Sequence, residues 1–87
     1  MAKLRGQVGR SGLLGRSYRV AFTLYSEDGE RAVDVLEFEN GETFLDEQER
    51  VSGGAFVSRH SGSLVGPFDS PAAAETFIVT TDWFRGS

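Results

Sequence analysis

The chain contains no cysteine and a single histidine. Disulfide staples, thiolate zinc sites and cysteine nucleophiles are therefore excluded, and a histidine-based transition-metal site would lack its second imidazole. No apolar run approaches the length needed to cross a bilayer, and Lys3 and Arg5 are followed by Gly-Gln-Val-Gly instead of a signal-peptide core. A soluble, unprocessed, cytoplasmic protein that avoids membranes is expected. There is no Gly-x-Ser-x-Gly nucleophile elbow, no Gly-Lys-Ser or Gly-Lys-Thr closing a phosphate loop, and no Asp-x-Asp-x-Asp-Gly calcium loop.

The first nineteen residues lack acids altogether, yet carry Lys3, Arg5, Arg10, Arg16 and Arg19. Carboxylates instead crowd residues 27–49, where Arg31 is the single cation, so the net charge of -4 averages two unlike ends. Gly6, Gly9, Gly12 and Gly15 recur every third position without the proline or the length of a collagen-like repeat. Residues 1–16 therefore read as a basic, Gly-rich arm that is expected to be mobile, and residues 17–87 as one domain. A body of this size has a marginal core, so a partner or self-association would help it.

Alternation begins at Ser17. Tyr18, Val20, Phe22 and Leu24 share one side of an extended strand, and Ser-Glu-Asp-Gly at 26–29 turns it into a second strand, Arg31–Phe38. Asn40-Gly41 predicts a two-residue type I′ turn into a third strand over Glu42–Leu45. The polar run at 46–52 reads as a loop with a short helical turn, followed by short strands at Ala55–Arg59 and Ser63–Val65. Ser70 and Pro71 mark a helix start, because a hydroxyl can cap free amides and proline sits where its missing N–H is harmless. Ala74, Phe77, Ile78, Thr81 and Phe84 fall near one face at helical spacing and Arg85 and Gly86 suit a C-terminus, whereas the β-branched run from Thr76 to Thr81 also fits a strand or an early stop that leaves Trp83 and Phe84 to fold back onto the sheet. The expected fold is small α+β: an antiparallel meander of four to five strands with one C-terminal helix packed on one face.

The segment from Val65 to Glu75, Val-Gly-Pro-Phe-Asp-Ser-Pro-Ala-Ala-Ala-Glu, resembles the strand-to-helix closing motif of SPOR-type peptidoglycan-binding domains. The resemblance is confined to these residues and implies a strand, a tight turn and a capped helix. No binding residue is carried over from it.

Catalytic signals are sparse. His60 lies in a His-Ser-Gly-Ser turn and reads as a surface residue, with general base as the lesser reading. The carboxylates Glu37, Glu39, Glu42, Asp46, Glu47 and Glu49 read as a solvated sheet face, ahead of calcium binding or paired-carboxylate catalysis. No catalytic residue, metal or cofactor is assigned. The expected role is a non-catalytic protein-binding module, such as an adaptor, inhibitor or accessory protein, that meets a basic protein or a second copy of itself. Its candidate contacts are Glu37, Glu39 and Glu42 on the acidic sheet and Trp83 and Phe84 at the C-terminus. Nucleic-acid binding through Arg5, Arg10, Arg16 and Arg19 is the alternative, the same residues serving equally as a self-docking arm; a carboxylate-dependent enzyme ranks third.

Overall fold

A computed structural model describes residues 17–86 as a five-stranded antiparallel sheet with two C-terminal helices. Arg5, Arg10 and Arg16, and the arm expected over residues 1–16, lie outside the described residues. The strands are β1 (Tyr18–Tyr25), β2 (Arg31–Phe38), β3 (Thr43–Arg50), β4 (Phe56–Ser58) and β5 (Val65–Phe68), and the helices are α1 (Pro71–Val79) and α2 (Asp82–Arg85). Strand order is β1-β2-β3-β4. β3 pairs with β4 along residues 48–50 and with β5 at Thr43 and Leu45, so these two short strands share its outer edge end to end.

Both local hairpins form as the turn residues dictate, with one difference of type. The Phe38 carbonyl accepts from the Gly41 amide at 2.9 Å while the Phe38 amide donates to Glu42 at 2.8 Å. Gly41 has φ 92, but Asn40 does not adopt positive φ. The connection is thus a type I turn closed by a glycine bulge, not the expected type I′ turn. A bulge at Ala21 also interrupts the β1–β2 register between Val20 and Phe22.

β3 runs five residues further than expected, to Arg50, through the polar segment that reads as a loop in the sequence. Its alternation sends Asp46 and Gln48 to one face and Glu47 and Glu49 to the other, and each of these side chains is hydrogen-bonded there. A strand can be hydrophilic on both faces when every polar group is matched. The last two strands also shift: the one expected at 55–59 shortens to Phe56–Ser58, and the one expected at 63–65 slides to Val65–Phe68. There Gly66 has φ 144, and a Cβ would fall 2.8 Å from the Thr43 carbonyl oxygen. Only glycine allows β5 to lie this close to β3.

Ser70 caps α1, its hydroxyl accepting from the Ala73 amide at 3.1 Å, with Pro71 in the first turn. The helix ends where Thr80 and Thr81 turn their hydroxyls onto the carbonyls of Phe77 and Ile78. Thr81 then caps α2, and Gly86 closes it with φ 80. The helical spacing that runs through to Phe84 is therefore broken at Thr80 and Thr81, and of the readings for this segment the early stop is the one that forms. The core between helices and sheet holds Val33, Val35, Leu45, Ala74, Ile78 and Phe84. α1 packs across β2, β3 and β5 on this face.

Candidate functional site

Since side chains alternate along a strand, the odd-numbered core residues Val33, Val35 and Leu45 place Ala32, Asp34, Leu36, Phe38, Phe44, Asp46 and Gln48 on the other face. No described helix covers that face. At its centre Asp34 and Asp46 stand directly opposite each other. Thr23 donates to Asp34 at 2.7 Å, Ser58 donates to Asp46 at 2.8 Å, and the Gln48 amide bridges the two carboxylates at 2.9 and 3.3 Å. Every donor is neutral. By contrast Glu37, Asp28, Glu30 and Glu47 each face an arginine, respectively Arg19, Arg31, Arg50 and Arg59, at 2.5, 3.3, 3.9 and 2.7 Å. Among the described residues no ion pair involves Asp34 or Asp46.

Aromatic rings flank this carboxylate pair at both ends. At one end the Phe38 ring, 3 % exposed, lies 5.1 Å from Tyr18 and 5.3 Å, edge-on, from Phe44. At the other, Tyr25 and Phe56 approach to 6.2 Å across the strands beside the small Ala32, and the Arg50 guanidinium sits 4.7 Å over the Phe56 ring. Tyr25 is 64 % and Val20 48 % exposed. The open face is therefore a polar, anionic centre between two apolar margins.

The opposite face carries a second constellation. Glu47 is buried, and one of its oxygens accepts from Arg59 at 2.7 Å and meets His60 Nε2 at 2.8 Å. Arg59 lies 4.5 Å over the Trp83 ring, while the Trp83 indole donates to Glu49 at 2.7 Å. These contacts fasten the turn after β4 and helix α2 to β3. His60 is thus a surface-turn residue, as expected, but one held by a buried carboxylate. Among the described residues no group of three metal-ligating side chains converges.

The candidate contacts named from sequence divide among these places. Glu37 is half-buried and bonded to Arg19 in the hairpin; Glu39 is exposed in the following turn; Glu42 receives the Asn40 amide at 3.0 Å. Trp83 is half-buried against Glu49 and Arg59, and Phe84, 8 % exposed, belongs to the core. Sequence reasoning missed Asp34 and passed over the special place of Asp46. The signal that could have found them is the hairpin register. Asp28, in the first hairpin turn, has its carboxyl held below the ordinary 3.8, chiefly by the backbone N–H of Glu30 and then by the Ser26 hydroxyl.

Four of the nine basic residues precede Ser17 and none of the thirteen acids does. Residues 17–87 therefore set five cations against thirteen acids, a formal -8, with +4 on residues 1–16, together the net -4. No described helix is long and apolar enough to cross a membrane. Comparison with family models, curated proteins and solved structures finds no match to the chain.

Proposed function

We propose that this chain is a non-catalytic protein-binding module whose open sheet face receives a basic segment of a partner protein. One observation carries the reading: among the described residues Asp34 and Asp46, paired in register, have neutral donors only, while Glu37 and Glu47 on the same two strands have arginines. A like-charged pair across two strands is unfavourable by itself, and a guanidinium or ammonium group from outside relieves it. Tyr18, Phe44, Tyr25 and Phe56 supply the apolar margins on which the stem or flanking residues of such a cation would rest. The -8 body favours a cationic partner and opposes a polyanion, which places nucleic-acid binding second.

The test compares baits. Wild-type chain and an Asp34→Asn/Asp46→Asn double variant are used to capture proteins from lysate of the source cell. The expected result is a basic protein retained by the wild type, lost by the variant and released by about 1 M salt. Identical capture by both baits would refute the proposal.

A further inference from the structure

The sheet has one full-length edge that no described strand covers, the outer side of β1. Such an edge offers a row of backbone donors and acceptors, and proteins usually guard it with lysine, proline, bulges or short length. β1 has eight residues, no lysine and no proline; its guards are one bulge and Arg19. Val20 and Tyr25 beside it are among the most exposed large apolar residues described. Charge is also distributed along this strand in a particular way. Arg19 stands at its start, and the turn at its end carries Glu27, Asp28 and Glu30.

We propose that the β1 edge pairs antiparallel with the β1 edge of a second copy of this chain, joining two sheets into one. An antiparallel twofold pair lays the basic start of each strand beside the acidic turn of the other, so the charge pattern is complementary to itself. With the twofold near Thr23, Phe22 faces Leu24 of the second copy and the helix-covered faces stay on the same side of the joined sheet. Arg19 then reaches Glu27 of the second copy, both being exposed. A parallel arrangement would place acidic turn against acidic turn. This pairing covers neither sheet face, so the interface is separate from the partner site proposed above.

Sedimentation equilibrium of the full chain tests it, with Arg19→Glu, Glu27→Arg and the double swap measured alongside. The wild type is expected to pass from 9.5 kDa to twice that mass as concentration rises. Each single reversal weakens the dimer about tenfold, the combined effect of two symmetry-related exposed ion pairs, and the double swap restores it. Because Arg19 also bonds Glu37, Glu27→Arg guards against an effect confined to the hairpin. A mass that stays at 9.5 kDa up to about 1 mM would overturn the proposal. So would a double swap that dimerises no better than the single variants. Neither result depends on Asp34 or Asp46, so this interface can fail without the partner site failing.

Discussion

Replacing Asp46 with asparagine should make the protein more stable while weakening the proposed binding of a basic partner. Asp34 and Asp46 are directly opposed on neighbouring strands, which puts side chains roughly 5 Å apart at Cβ. Two unit charges at that separation repel by about 1 kcal/mol in water and about 3 kcal/mol at an effective dielectric constant near 20. Both groups are half-buried, so a value between these limits, about 2 kcal/mol, applies. Against this, the amide keeps one acceptor for Ser58 but turns a donor towards Gln48, at a cost of about 0.5–1 kcal/mol. A net gain of about 1 kcal/mol remains, or about 4–8 °C in Tm for a domain of this size. Urea denaturation of wild type and variant at low salt measures it, and the gain should shrink near 1 M salt, where the screening length falls to about 3 Å. A variant equally stable or less stable at low salt would refute the reasoning, because the pair would then impose no electrostatic cost for a partner to relieve.

Further expectations concern the scaffold. Glu47→Gln removes the buried charge shared by Arg59 and His60 and should cost about 2 kcal/mol in urea denaturation, below the range for fully buried pairs because both partners are about a third exposed. Gly66→Ala should destabilise by about 1–3 kcal/mol in the same assay, since its Cβ would meet the Thr43 carbonyl and the Phe44 ring at 2.8 and 3.0 Å in a conformation that favours glycine. Asp28 has a folded pKa below its ordinary 3.8, so its contribution is complete above that value and is lost as pH falls through the folded pKa. An Asp28→Asn variant should therefore lose less stability than wild type between pH of about 5 and about 2, read from denaturation midpoints.

The parts of the fold set by near neighbours were legible from sequence, and those set by distant ones were not. Ser-Glu-Asp-Gly announces the first hairpin, and Ser70-Pro71 announces α1, because turn and cap chemistry act within a few residues. The second half of β3 reads as loop because Asp46, Glu47, Gln48 and Glu49 take partners from Asp34, Ser58, Arg59, His60 and Trp83, all remote in sequence. The turn at Asn40-Gly41 shows how small a difference matters. A two-residue type I′ turn would pair Glu39 with Glu42 and hence Asp34 with Glu47. The three-residue turn with its glycine bulge moves the register by one and pairs Asp34 with Asp46. That single step decides which acids share the open face.

The open face is the proposed docking site of a basic partner. The most direct measurement is a titration of the isotopically labelled chain with the captured partner, following backbone amide shifts. The predicted footprint covers Thr23, Asp34, Phe44, Asp46 and Gln48, leaves Ala72–Thr76 of α1 unmoved, and vanishes in the Asp34→Asn/Asp46→Asn variant. A footprint centred on α1 or on the His60 turn, or one that survives in the double variant, would contradict it.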